Sequence, residues 1–143
     1  MSTRSATMLT FHGLLVLLIG LLAGAPYGAA VVGTWGSEVE RAWKLAHLEG
    51  LQNGILLLVL AGCSPWIALT SRGERIVVWG AVVAAYGNAL GGLLGALLGH
   101  RGLAPEGPLG NWVVFAAFMF GMWGLLIAVP VAIGGAWRCW RNA

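Results

Sequence analysis

The stretch Trp43-Lys44-Leu45-Ala46-His47-Leu48-Glu49-Gly50-Leu51-Gln52-Asn53-Gly54 takes the chain from an interfacial aromatic and a cation into a long apolar run. It carries His, Glu and Asn into the start of a helix that must cross hydrocarbon, where polar groups are costly and usually serve function. Outward from it, residues 5–37, 50–71, 76–100 and 107–137 contain no Lys, Arg, Asp or Glu. Each of these runs reaches the ~20 residues that a helix needs to span a bilayer. The fold class that follows is an all-α integral membrane protein, a four-transmembrane-helix bundle. The spans are predicted at approximately 9–32, 46–69, 76–98 and 112–137, in a single membrane domain over 1–143.

Composition agrees, because a chain that is 59% hydrophobic and 9% charged would expose too much apolar surface as a soluble domain. The first run has the flanks of a signal peptide, with Arg4 before it and Gly28-Ala29-Ala30 as a small-residue site, but it is long enough to span and is read as a span. The connections are short. Residues 33–45 read as a partly helical interfacial segment, 70–75 as a turn, and 99–111, with Pro105 and Pro108, as irregular chain.

Four crossings put both termini on one side, where Arg4, Arg72, Arg75, Arg138 and Arg141 outnumber Arg41, Lys44 and Arg101. The excess of positive charge predicts cytoplasmic termini in the inner membrane. Trp35, Trp43, Trp66, Trp79, Trp112, Trp137 and Trp140 lie near span ends, as interfacial aromatics do, and Trp123 is the exception. The net charge of +3 comes from single basic residues at helix ends, which is topology and not a nucleic-acid patch. Cys63 and Cys139 have neither CxxC nor CxxCH spacing and read as reduced, structural thiols.

Glycines recur every four residues, at Gly20, Gly24 and Gly28 and again at Gly87, Gly91 and Gly95. Such stripes let helices approach closely, or leave space for a flat ligand. The groups able to do chemistry are few: no Asp, and His12, His47, Glu49, Tyr27, Tyr86 and His100 in or near the spans. At about 100° per residue from His47, Gly54 falls near -20°, Gly50 near -60°, Asn53 near -120° and Glu49 near -160°. One helix face is thus expected to hold His47 and Asn53 with glycines between them, a bed on which a planar cofactor could lie. A catalytic zinc is less favoured, since three protein ligands are wanted and the three histidines are dispersed along the chain.

Ala46-His47-Leu48-Glu49-Gly50 followed by Asn53-Gly54, with Phe11-His12-Gly13 opening the first span, resembles the hydroxylaminobenzene mutase family. That family is in turn similar to the membrane styrene oxide isomerases, four-helix proteins that use haem b. The resemblance implies His47 as the haem-iron ligand and Asn53 and Asn88 as matched site positions; with the helix face above, Gly50, Gly54 and Asn88 are expected at the cofactor, and Glu49, which the mutases carry, and Asn53 as catalytic residues. It also implies a homotrimer with haem near subunit boundaries, acting on a small aromatic substrate. With the third span anchored on Asn88, the acidic and tyrosine positions of the isomerases fall at Ala84 and Gly92, where those side chains are absent. The reaction implied is the shift of an aromatic hydroxylamine's hydroxyl to the ring. The alternatives are an epoxide isomerase and a non-catalytic haem- or quinone-binding membrane protein.

Overall fold

The computed structural model describes residues 1–143 apart from Thr34. Four long helices follow in order: α1, Thr3–Val31; α2, Ser37–Gly62; α3, Ser71–Leu98; and α4, Leu109–Arg141. Each is long and apolar enough to cross a membrane. A single 3₁₀ turn, Ser64–Trp66, follows α2. α1 packs on α2, α2 on α3 and α3 on α4, and α1 also touches α3. This is the all-α four-helix membrane bundle that the charge-free runs predict.

The helices are offset from the apolar runs, and local chemistry explains how. α2 starts at Ser37, so most of the connection expected over 33–45, which includes the undescribed Thr34, is helix. Gly36 enters it at φ 84°, a conformation only glycine adopts freely, and Glu38 and Glu40 occupy the first turn, where the helix dipole favours carboxylates. The same helix stops at Gly62 and does not continue to residue 69: Pro65 has no backbone N–H to extend the ladder. α3 begins at Ser71 because the Thr70 hydroxyl accepts from the Gly73 N–H at 3.2 Å.

Before α4, Asn111 organises the connection. Its side-chain oxygen accepts from the Gly102 N–H at 2.9 Å, and its amide donates to the Ala104 and Glu106 carbonyls at 2.8 Å. At the other end, Arg138 donates twice to the Ala68 carbonyl at 3.1 Å, tying α4 to the α2–α3 connection.

The core is small-residue packing around α3: Val78, Ala81, Val82, Ala85 and Ala89 bury against Leu9, Val16 and Leu57. Two helix pairs meet backbone to backbone. A Cβ on Gly20 would lie 2.5 Å from the Leu51 nitrogen, and one on Gly50 would lie 2.3 Å from the Gly20 Cα. On the other side, a Cβ on Gly87 would lie 2.7 Å from the Ala117 carbonyl oxygen. Close approach of this kind is the main source of helix association where lipid offers no hydrophobic drive.

Gly20→Val is therefore expected to destabilise the bundle by about 1–3 kcal/mol or more, since backbone on the neighbouring helix cannot rotate away. Gly28 has open space around its Cβ position, and Gly28→Ala should leave stability unchanged or slightly raised. Thermal unfolding of both variants in the same detergent measures the contrast.

Candidate functional site

His47 stands where α2 crosses α1. Its Nδ1 is 2.8 Å from the Gly20 carbonyl oxygen, which can only accept, so Nδ1 carries the proton and donates. In the neutral ring this leaves the Nε2 lone pair unused. Gly24 supplies the space, because a Cβ there would sit 3.0 Å from Nδ1. Tyr27, one turn further on α1, stacks on the imidazole with centroids 5.9 Å apart. Gly20, Gly24 and Tyr27 thus fix the ring's tautomer and orientation together.

A second group lies towards α3. Asn53 is buried, 6% exposed, and its amide donates to the Glu49 carbonyl and to Glu49 Oε2, both at 2.9 Å. The Asn53 side-chain oxygen accepts from the Asn88 amide at 3.2 Å. A carboxyl group and two amides form one line from α2 to α3. Asn88 fits there because Gly121 on α4 has no side chain to meet it: a Cβ at Gly121 would overlap the Asn88 side chain.

Glu49, Asn53 and Asn88 are thus brought together, as the helical spacing of the first two suggested. His47 is not in that line. Its contacts are on α1, whereas those of Asn53 are on α2 and α3, so the single face expected to hold both is corrected to two neighbouring faces. The glycine bed is corrected as well. Gly50 and Gly54 are covered by α1, with a Gly54 Cβ only 2.7 Å from the Leu17 nitrogen, so no planar group lies over them within one chain. A helical wheel gives the direction of a face but not the element that fills it.

The two positions where the family's acidic and tyrosine side chains are absent are closed by packing. Ala84 is fully buried against Gly124 of α4, and a Cβ on Gly92 would lie 3.1 Å from the Ala46 Cα. Beside Gly92 a cavity of about 240 Å³ opens between α2, α3 and α4. Gly91, Gly92, Gly95 and Ala96 form its floor, Phe118 a wall, and Arg41, Arg101 and His100 part of its polar lining. Its lining residues Leu45 and Gly92 lie one helical turn from Glu49 and Asn88, which are not part of the lining.

Elsewhere, His12 Nδ1 lies 3.1 Å from the Tyr86 hydroxyl, a pairing between α1 and α3 that spacing along the chain could not reveal. The cavity residues Arg41, His100 and Arg101 were also missed as a group, because they come from the start of α2 and from the α3–α4 connection. Among the described residues no three His, Cys, Asp or Glu side chains gather into a metal-binding cluster. Single-imidazole ligation is the arrangement these side chains offer, and the donor chemistry of His47 fits it: a metal-bound imidazole commonly donates its other N–H to a backbone carbonyl.

The chain matches the family model described as styrene oxide isomerase over residues 5–137. It is also 30% identical over 93 residues to hydroxylaminobenzene mutase HabA of Ectopseudomonas oleovorans, an alignment covering 65% of this chain and 64% of that protein.

The Asn53–Asn88 bond is testable alone. A double-mutant cycle with Asn53→Leu and Asn88→Leu should show a coupling of about 0.5–2 kcal/mol in unfolding free energy. Strict additivity would mean that the two amides contribute independently.

Proposed function

As the chain belongs to the styrene oxide isomerase family, an isomerase family of the membrane, we propose that it isomerises a small aryl epoxide to its carbonyl isomer inside the bilayer. The carrying observation is the Glu49–Asn53–Asn88 line one helical turn from a largely apolar cavity with a glycine floor, which Leu45 and Gly92 line. At about 240 Å³ the cavity is smaller than the ~300–1,000 Å³ typical of drug-sized ligands, which suits one substituted ring. The reaction is redox-neutral: a C–O bond breaks, a hydrogen moves to the neighbouring carbon, and no co-reactant is consumed.

In this reading His47 would hold haem b through Nε2, with the Gly20 carbonyl fixing the ring for that task. When bound, haem would supply Lewis acidity towards an oxygen or nitrogen lone pair. Asn53 donates both amide hydrogens to Glu49 and fixes the Asn88 amide, whose second N–H is left to orient the substrate's oxygen, and the lipid-facing helices admit an apolar molecule directly from the membrane. The excess of Arg on the side of the termini supports a cytoplasmic location for both.

A second reading is favoured by Glu49 and by the likeness to the mutase: transfer of the hydroxyl of hydroxylaminobenzene from nitrogen to the ring, giving an aminophenol. There a carboxyl group has a defined task, which is to give a proton to the departing hydroxyl. Glu49 is held for it by the Asn53 amide.

Purified protein in nanodiscs, supplied separately with styrene oxide and hydroxylaminobenzene, decides between them by product chromatography. The carbonyl isomer is expected from the epoxide. Aminophenol without that isomer would establish the second reading, and no product from either would remove both. At matched haem content, Glu49→Gln should lower aminophenol formation by about 100-fold if the carboxyl is the acid. His47→Ala should lose the Soret band, and a variant that keeps it would displace the ligand assignment.

A further inference from the structure

α2 and α4 both pack along α3 but scarcely meet each other, so α3 is the floor of a groove between them. Midway along it Asn88 stands between Asn53 of α2 and Gly121 of α4 and divides the groove in two. The half nearer the termini holds a hollow of about 30 Å³ lined by apolar side chains, Leu56, Ala81 and Leu125 among them. The other half is the cavity of about 240 Å³.

That cavity is graded from apolar to charged. Gly91 and Phe118 line its inner end, and Arg41, His100 and Arg101 line its mouth at the membrane boundary opposite the termini. Gly91 and His100 are nine residues apart, about 14 Å along α3, close to the ~15 Å of hydrocarbon in one leaflet. Glu38 is the one carboxylate of the lining, and it lies 3.6 Å from Arg41. Among the described residues Arg101 has no acidic partner, and the His100 ring, seated against Gly110, has no hydrogen bond. The mouth therefore carries surplus positive charge above an apolar slot.

We propose that the slot holds one acyl chain of an anionic phospholipid, its phosphate at Arg101 and Arg41 and its chain along Gly95 and Gly91 towards Phe118. The chain enters sideways between α2 and α4 without leaving hydrocarbon, past Leu45 and Leu103, which are exposed at the edges. A zwitterionic head would bring its own cation to the arginines, whereas an anionic head brings only the opposite charge, and each arginine at the membrane surface favours it. Lipid binding stands apart from the catalytic reading, but its consequence rests on that reading: chain and substrate ring exclude one another from one cavity, so the lipid is a competitor.

The test places full-length protein in nanodiscs of phosphatidylcholine with a minor fraction of phosphatidylglycerol that carries a photoreactive diazirine in its chain. Mass mapping of labelled peptides should find the label on lining residues such as Leu45, Ala96 and Phe118. Arg101→Gln should reduce that labelling by about 5-fold, and Arg101→Lys should retain it. With the substrate ring in the same cavity, a larger fraction of phosphatidylglycerol should raise KM and leave kcat unchanged. Equal labelling by a phosphatidylcholine probe, label spread over lipid-facing residues such as Leu14 and Leu126, or no effect of Arg101→Gln would overturn the lipid site. Displacement of the probe by octanoate and not by unlabelled phosphatidylglycerol would give the slot to a soluble acid and overturn the lipid assignment. Intact labelling with a KM indifferent to phosphatidylglycerol would overturn the competition alone and move the substrate out of the cavity.

Discussion

The close approach of α1 and α2 at Gly20 and Gly50 is the constraint on which the rest of this molecule depends. With no side chain at either position, two backbones meet at a distance that any Cβ would prevent. That distance puts the Gly20 carbonyl within 2.8 Å of His47 and holds the imidazole in one tautomer. A bilayer interior requires its polar groups to find partners within the protein, and here a packing contact and a functional orientation are the same event. The glycines on this face serve the imidazole indirectly, by bringing its acceptor to it.

The same economy governs the α2–α3 side. Gly92 lets α3 close on Ala46, and Gly121 leaves the room that Asn88 fills. Two amides and a carboxyl group are thereby bonded to one another with no charged partner. Where Ala84 and Gly92 depart from the styrene oxide isomerase pattern, helix contacts occupy the positions, and Glu49, Asn53 and Asn88 form a polar line between α2 and α3. His47 and this line occupy adjacent faces of one helix, the imidazole towards α1 and the amides towards α3.

Much of the fold was legible because the absence of charge over 5–37, 50–71, 76–100 and 107–137 has one structural meaning in a chain this apolar. Helix ends were less so. Ser37 to Lys44 is polar enough to look like a connection, yet a helix outside hydrocarbon needs no apolar run, only a glycine entry and acidic residues in its first turn. At the site, Glu49 and Asn53 are one turn apart, and their pairing could be read from spacing alone. Asn88 could be reached only through resemblance, since nothing local announces which helix will face it. Gly50 and Gly54 were misassigned to a cofactor because a stripe of small residues admits a helix as readily as a flat ligand.

The central claim is that this chain rearranges one molecule without adding to it, and the origin of the product oxygen tests that most directly. Turnover of the aryl epoxide in H₂¹⁸O, followed by prompt mass analysis of the carbonyl product after correction for its own exchange with solvent, should show the substrate's oxygen retained and no label gained. A diol carrying one solvent oxygen, or a labelled product beyond that correction, would mean that water attacks the substrate and that the protein is a hydrolase and not an isomerase.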